Sequence, residues 1–400
     1  MHFQFSPDLS AYVRGRAFIP SGSVLPQGNT NNNVGASSSA YVGLKEAWID
    51  YGGITSYPGE SLRIGRQRTR EDSAEWWDED LDSVRWMFDT TLLQSELAVA
   101  HQFSTYRSDG APQPSKQQDR TYFFGSISGE ILPMQRIGAR VVHADDSNQL
   151  PATGETLGSN DRADKEHLTW IGLFADNHAY DAEKAPALSY WESATYLTGH
   201  RRTLQLGSGR VVDGEVSKNA NAYQGELGVR YRMSMPDWPV QIGAAVAAGS
   251  GGGLRQYEQS GIQSNYSRFT GTRALINRFN DAYRVEIGNL RAYTGFASMT
   301  KGDYDFSAIF NHFERVNDNQ PIISDALTVA PTTNSSDLGN GYDVVVTRYF
   351  GARHEQPRYL QGETVETWLR LRGSVFDPGA AYGAAAKAEY RVALEFTLWY

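Results

Sequence analysis

The chain has 400 residues, of which 12% are aromatic and 21% are charged, and it contains no Cys. The lack of Cys excludes disulfides and thiolate metal sites, and it fits passage through an oxidising compartment. The net charge of -9 argues against nucleic acid as a partner, and no apolar run approaches the roughly eighteen residues of a transmembrane helix.

The N-terminal residues are already strand-like. Met1 is followed by HFQFS, without the basic and apolar leader of an exported protein. We therefore expect that the N-terminal strands are missing and that His2–Ser6 is a stub. From Leu9 to Tyr400 we count about sixteen further strand-like segments of about ten residues each. Because no helical period or linker interrupts them, the sequence predicts a single domain over residues 1–400.

The connections between these segments alternate in length, as in outer-membrane β-barrels with tight periplasmic turns and long external loops. Pro and Gly in the short connections favour turns. The short connections are Pro7-Asp8, Ser56–Glu60, Leu132–Gln135 and Pro236–Pro239. The long connections are rich in Gly, Ser, Asn and Asp and comprise Pro20–Ser39, Glu71–Asp80, Ser108–Asp119, Asp146–Ala163, Gly199–Lys218, Ser250–Thr272 and Asn317–Asn340.

Several segments alternate apolar and polar side chains, which predicts strands with one apolar and one polar face. In Ala222–Met233 the apolar face is Tyr223, Leu227, Val229, Tyr231 and Met233, and the polar face includes Gln224, Glu226, Arg230 and Arg232. Near residue 285, Tyr283, Val285 and Ile287 alternate with Arg284 and Glu286, which predicts another wall strand.

The last fourteen residues carry the strongest signal. Lys387–Tyr400 reads KAEYRVALEFTLWY, with one apolar and one charged face. A strand of a soluble sandwich could alternate in the same way. A long amphipathic strand that ends the chain on aromatics, however, is typical of outer-membrane barrels, where the final strand closes the cylinder. We therefore predict an all-β, transmembrane antiparallel β-barrel in which Leu394, Phe396 and Leu398 face lipid, with an unpaired edge where the N-terminal strands belong.

The polar face of the predicted wall is rich in basic residues. It contains Arg85, Arg136, Arg140, Arg230, Arg232, Arg284, Arg370, Arg372, Lys387 and Arg391, accompanied by Glu226, Glu286, Glu366, Glu389 and Glu395. For any single Arg, an ion pair that supports the barrel is as good an interpretation as a role in the pore. For the whole set, basic residues outnumber acidic ones, which favours an anion-selective path through the lumen.

No motif points to an enzyme. The GSGGG stretch at Gly249–Gly253 lacks the spacing and the Lys of a P-loop, so we interpret it as a flexible external loop. The eight His include no HExxH spacing, and no G-x-S-x-G elbow occurs. We expect no cofactor, no metal site and no catalytic residues, although a triad drawn from distant strands is not visible in sequence.

Four stretches carry a specific resemblance. They are SYPGESLRIGRQRTREDS at Ser56–Ser73, FTGTR at Phe269–Arg273, YDVVVTRYF at Tyr342–Phe350 and LRGSVFDPGAAYG at Leu371–Gly383. They resemble the outer-membrane alginate export porin family, and the similarity runs from about residue 3 to the C-terminus. The resemblance implies a monomeric eighteen-stranded barrel, of which this chain lacks the first strand and most of the second.

The resemblance also implies an electropositive constriction. Pore arginines of the family fall on Arg68, in GRQR, and on Arg284 and Arg370, while Lys45 replaces another and keeps only its charge. A further family arginine falls near Leu275. Acidic partners fall on Asp78 and Asp109. We expect the four basic side chains to project into one narrow zone of the pore, with the two acidic side chains close enough to order some of them. From the polar wall face we add Arg140 and Arg230 as pore-lining candidates.

The connection Gly351–Gly362 is long for a periplasmic turn, and the matching turn of the family acts as a plug. Its charged residues Arg353, His354 and Arg358 suggest an anion-sensitive gate. The resemblance implies a passive outer-membrane channel for an anionic exopolysaccharide, with alginate as the leading candidate. It also implies outer-membrane lipid and periplasmic secretion-complex proteins as partners. Two alternatives stay open, an uptake porin for small carboxylates, with an inward-folded external loop, and an outer-membrane hydrolase.

Overall fold

The computed structural model describes residues 1–19, 40–57, 59–111, 113, 117–158, 161–182, 184–233, 235, 238–252, 256–322, 330–350, 367–384 and 386–397. Nearly all regular structure is β. The strands are β1 His2–Ser6, β2 Leu9–Phe18, β3 Tyr41–Tyr51, β4 Glu60–Arg70, β5 Asp78–Asp89, β6 Leu93–His101, β7 Arg120–Leu132, β8 Gln135–Asp146, β9 Asp164–Asp176, β10 Leu188–Leu206, β11 Val212–Met233, β12 Val240–Gly249, β13 Tyr266–Ser267, β14 Ile276–Asn277, β15 Leu290–Lys301, β16 Tyr304–Arg315, β17 Asp337–Phe350, β18 Thr367–Pro378 and β19 Glu389–Thr397. Two 3-10 helices lie at Ser208–Arg210 and Ala380–Tyr382.

Seventeen of these strands form one antiparallel sheet, the barrel wall, in which each strand pairs with its neighbours along the chain. The long segment between β12 and β15, which contains β13 and β14, is skipped, and β12 pairs directly with β15. The wall therefore confirms the expected count of sixteen strands plus the stub β1. Within the described residues, β1 pairs with β2 and β19 pairs with β18, and no ladder joins β1 to β19.

The wall is apolar outside and polar inside. On β11 the side chains of Tyr223 and Leu227 are 59% and 55% exposed, whereas Gln224 and Glu226, on the other face, are buried. On β19, Leu394 and Phe396 are 71% and 62% exposed, as predicted, and Leu398 lies outside the described residues. This arrangement is the reverse of a soluble protein and is that of a transmembrane β-barrel. In the described part of the chain, no helix is long and apolar enough to cross a membrane.

The connections divide by length between the two ends of the wall. Turns such as residues 7–8, 133–134 and 302–303 lie at the short-turn end. Connections such as residues 102–119 and 250–289 lie at the opposite, long-connection end. Two predicted long external loops are wrong: Glu71–Asp80 is buried apart from Asp72 and ends in β5, and Gly199–Lys218 belongs mostly to β10 and β11. The residues of Gly199–Lys218 continue β10 and β11 in one register as far as Gln205 and Gly214, and after a shift in register Leu206 pairs with Val212, so the loop shrinks to the short turn of residues 207–211.

The prediction of a wall strand around Tyr283 is also wrong. Tyr283, Val285 and Ile287 belong to the connection between β12 and β15, and all three are buried in the largest apolar cluster. The ring of Tyr283 stacks on that of Phe376 of β18, with centroids 3.9 Å apart. The apolar side chains therefore alternate because they pack against the inside of the barrel, and not because they face lipid.

Most of the connection from β12 to β15 folds into the barrel, so the prediction of a long external connection at Ser250–Thr272 is wrong as well. We call its residues 256–289 the lumen segment. All of them are buried except Glu258, Arg268, Arg273 and Leu275, which are half-buried. A side chain at Gly249 would overlap the carbonyl oxygen of Ile287, so glycine allows the returning chain to lie against the end of β12.

Candidate functional site

The ends of β4 and β5 leave the wall and enter the lumen. β4 pairs with β3 only through Leu62–Arg66, and β5 pairs with β6 only from Asp82 onward, but β4 and β5 stay paired to their ends. We call residues 67–81 the lumen hairpin. All of its residues are buried except Arg68, which is half-buried, and Asp72, which is exposed. Because both faces are enclosed, the hairpin crosses the interior rather than forming wall.

The lumen hairpin contacts the wall at β8. Arg136 of β8 lies 2.8 Å from the carboxylate of Asp72, and Arg140 lies 3.1 Å from that of Glu71. The guanidinium of Arg140 also lies 3.9 Å from the ring centroid of Phe174 on β9. Arg140 thus faces inward, as predicted, and its contacts fasten the hairpin to the wall.

The lumen segment meets the hairpin and extends to the short-turn end. The backbone amide of Asp78 donates to the carbonyl of Ile262, and the amide of Ser264 donates to that of Ala74. Nearer the short-turn end, Arg230 of β11 donates to the carbonyl of Phe269 at 2.7 Å. Arg230 is therefore inward-facing too, and it anchors the lumen segment.

Three predicted site residues come together at the base of the hairpin. Lys45 of β3 lies 3.3 Å from the carboxylate of Asp80, and Arg68 lies 2.6 Å from that of Asp78. Asp78 is 1% exposed, and it also accepts hydrogen bonds from Arg70 and from Ser264 of the lumen segment. Asp78 therefore orders Arg68, as the sequence predicts, and joins the hairpin to the segment.

Arg370 and Arg284 belong to a second group, on the side of the last strands. Arg370 donates from Nε to Thr347 Oγ1 at 2.9 Å and lies 3.8 Å from the carboxylate of Glu395. Arg284 is on the lumen segment and not on a wall strand, with a positive φ of 48°, and its Nε donates to the carbonyl of Asp281 at 3.2 Å.

Asp281 is the centre of this second group. Arg372 of β18 and Arg391 of β19 lie 3.8 Å and 3.5 Å from its carboxylate. The hydroxyl of Tyr266 donates to the same carboxylate. Burial, reinforced by the charge of Asp281, raises the pKa of Tyr266, so this hydroxyl stays protonated and remains a donor.

Asp109 lies apart from both groups. It accepts a hydrogen bond from Arg107 Nε at 3.0 Å within the connection after β6, and that connection bridges to β3 through Arg107 and Gly43. The predicted plug turn, with Arg353, His354 and Arg358, lies outside the described residues. Within the described part of the chain, no cluster of His, Asp and Glu could hold a metal ion.

Sequence reasoning missed the ion-pair junction that ties the two lumen elements together. Arg278 of the lumen segment lies 3.2 Å from Glu75 of the hairpin, and it pairs with Glu226 of β11 as well. Glu226 also accepts a hydrogen bond from the indole of Trp191 at 2.5 Å. All three charged residues are 7% exposed or less. Their separation along the chain leaves no local pattern, so only the buried, polar character of the segment could have suggested it.

Comparison with known proteins supplies the context. The family model described as alginate export matches residues 4–393. The alginate production protein AlgE of Pseudomonas aeruginosa is 37% identical over 409 residues, which cover 98% of this chain and 83% of that protein. The AlgE proteins of Pseudomonas syringae pv. tomato and Azotobacter vinelandii are 35% and 31% identical, covering 94% and 84% of this chain and 81% and 72% of those proteins. The crystal structure of Pseudomonas aeruginosa OpdK with vanillate is 10% identical, with a TM-score of 0.48, and covers 96% of this chain and 85% of that one.

Proposed function

Because the chain belongs to the alginate export family, we propose that it is the outer-membrane channel through which alginate, an anionic polysaccharide, leaves the cell. The protein is an outer-membrane β-barrel of that family, and its family is one of export channels rather than of enzymes. With short turns facing the periplasm, as in other such barrels, the long-connection end is the exit. Periplasmic secretion proteins would deliver the polymer to a monomeric barrel.

The observation that supports this proposal is the charged interior around the lumen hairpin. Lys45 and Arg68 meet there with two carboxylates, and Arg370 and Arg284 form a second basic group. The planar fork of Arg suits the carboxylate of a uronate sugar. Since most of these cations are already paired with protein carboxylates, each would bind a passing sugar only weakly, and many weak sites favour conduction over trapping.

We also propose that residues 351–362 close the periplasmic mouth. The supporting observation is one of sequence and place. These residues join β17 to β18, and β18 carries Arg370 close to its start at the short-turn end. A basic plug at that mouth would hold back small solutes until the anionic polymer displaces it. The lumen hairpin and lumen segment would then narrow the path above it.

The uptake porin for small carboxylates is the second candidate. The feature expected of it, an inward-folded external connection, is present as the lumen segment. That feature narrows the lumen in either function, however, whereas relatives up to 37% identical over nearly the whole chain are alginate production proteins. Family membership therefore favours export. It disfavours the hydrolase in the same way.

The test is ion selectivity and block of the purified channel in planar bilayers. We expect a reversal potential that reports anion preference under a salt gradient, and block by oligouronates at concentrations well below those of neutral oligosaccharides of the same length. Cation preference, or equal block by charged and neutral sugars, would contradict the proposed function. Block by small carboxylates alone would favour the uptake porin.

A further inference from the structure

The inner face of β2 carries Arg16, a residue that is not among those assigned above to the path of the polymer. Arg14, Arg16 and Phe18 lie on the same face as the buried Tyr12, whereas Val13, on the other face, is 45% exposed to lipid. β2 runs from the short-turn end toward the exit. Arg16 therefore lies above Arg14, on the exit side of the ion pairs at the base of the hairpin.

Arg16 differs from its basic neighbours because no carboxylate of the described residues lies within ion-pair distance of it, although Asp80 is near enough to attract its charge. Arg14 lies 2.6 Å from Glu46, Lys45 lies 3.3 Å from Asp80, and Arg107 donates to Asp109. None of the ion pairs or hydrogen bonds among the described residues involves the guanidinium of Arg16, which is half-buried. Residues 20–39, which follow β2, contain no Asp or Glu in their sequence, so they bring no carboxylate either.

Aromatic rings hold this guanidinium instead. Its central carbon lies 5.3 Å from the ring centroid of Phe18 and 6.0 Å from that of Tyr41. The two rings belong to directly paired residues of β2 and β3, with centroids 5.2 Å apart. Arg107 lies 3.8 Å from the Tyr41 ring and fixes it further. An aromatic face attracts the cation without using its N–H donors, so the hydrogen-bonding edge of Arg16 stays available.

We propose that Arg16, oriented by Phe18 and Tyr41, is a carboxylate-binding subsite on the exit side of the lumen hairpin, and that it takes one uronate residue of the passing polymer. A cation inside a barrel that makes no close ion pair with the described residues is costly unless an anion binds to it. A pre-oriented guanidinium can bind both oxygens of that anion in its fork. This proposal rests on the proposed export function and adds a binding residue to it.

The test uses Arg16→Gln and Arg16→Lys in the full-length channel, with block by tetrauronate added on the exit side. We expect Arg16→Gln to weaken block about fivefold, the loss of one partly exposed ion pair. Arg16→Lys keeps the charge but loses the planar fork of the guanidinium. Its block by tetrauronate should therefore be weaker than that of the parent channel and stronger than that of Arg16→Gln. Block by a neutral tetrasaccharide should not change. Arg202→Gln is the matched control, because Arg202 is an exposed exit-side arginine already paired with Glu215.

The variant Arg370→Gln distinguishes failure of the Arg16 subsite from failure of the proposed export function. If Arg370→Gln weakens block by tetrauronate while both Arg16 variants match the parent, the subsite is wrong and the export function stands. If the parent channel blocks equally with charged and neutral sugars, both proposals fail. Equal weakening by Arg16→Gln and Arg202→Gln would show a general loss of positive charge at the exit and would refute a specific subsite. Gel electrophoresis of unheated and heated samples checks that each variant folds, because a folded barrel migrates differently from the heat-denatured chain.

Discussion

Replacement of Arg278 by Gln should release the lumen segment while leaving the wall folded. The change removes the partner of Glu75 and of Glu226, which are buried beside it. Breaking a buried ion pair by removing one partner costs about 3–5 kcal/mol, since the remaining carboxylate stays buried without compensation. The wall strands keep every backbone hydrogen bond, so the cost falls on the contacts that hold the segment inside the barrel.

Amide hydrogen exchange followed by mass spectrometry measures this release directly. A cost of about 3–5 kcal/mol corresponds to exchange between about a hundredfold and a few thousandfold faster for amides whose protection depends on the segment being docked. Peptides from residues 264–283 should show the change, and those from β7 and β8 should not. Channel conductance should rise in parallel, because the released segment no longer narrows the lumen.

The exposed pair Arg202 and Glu215 provides the control, with side chains 47% and 31% exposed. Arg202→Gln should cost less than about 1 kcal/mol and leave the lumen peptides unchanged. Pairing Arg278→Gln with Glu75→Gln should recover part of the protection, since one of the two stranded charges is gone. Unchanged exchange in Arg278→Gln would refute the reasoning, and so would an equal change in Arg202→Gln.

Three further predictions address the pore, the plug and the wall. Arg68→Glu and Arg370→Glu should each shift the reversal potential toward cations, and an unchanged potential in both would exclude their role in the pore. Replacement of residues 351–362 by a tight turn should raise ion conductance with the barrel still folded; a channel that conducts like the parent would show that this turn is no plug. Leu394→Arg should lower the free energy of unfolding of the barrel in lipid vesicles by about 2–4 kcal/mol, measured by urea titration, because the side chain faces lipid. An unchanged free energy of unfolding would contradict this placement of Leu394.

The wall was predictable because every strand that crosses the membrane must alternate apolar and polar side chains. Lipid outside and water inside impose a two-residue period, so the outward placement of Leu394 and Phe396 follows from neighbouring residues alone. The same rule misled at Tyr283, where an enclosed segment presents apolar side chains to the interior. In sequence, a buried polar segment cannot be distinguished from a solvent-exposed loop, because its hydrogen-bond partners belong to distant strands.

The candidate site was predictable only in part, and mainly through resemblance. Family motifs pointed to Arg68 and Asp78, which do pair, and to Lys45, which lies beside them. The same motifs gave no indication that Arg284 sits on an inward-folded connection. The sequence does not show that Arg16 contacts aromatic rings and makes no ion pair with the described residues, because that depends on which side chains the other strands bring close.

The direct pairing of β12 with β15 separates assembly of the wall from filling of its interior. Ala248 pairs with Arg291 across the point where the lumen segment departs and returns, so these strands can join before the segment has docked. The lumen segment contacts Ala74 of the hairpin and Ser374 of β18. These contacts link residues that are far apart in the chain, and such contacts form late in folding. A newly inserted molecule would therefore pass through a stage in which the wall strands are paired and the lumen is still open. The permeability of the membrane during biogenesis would then depend on how fast the segment docks.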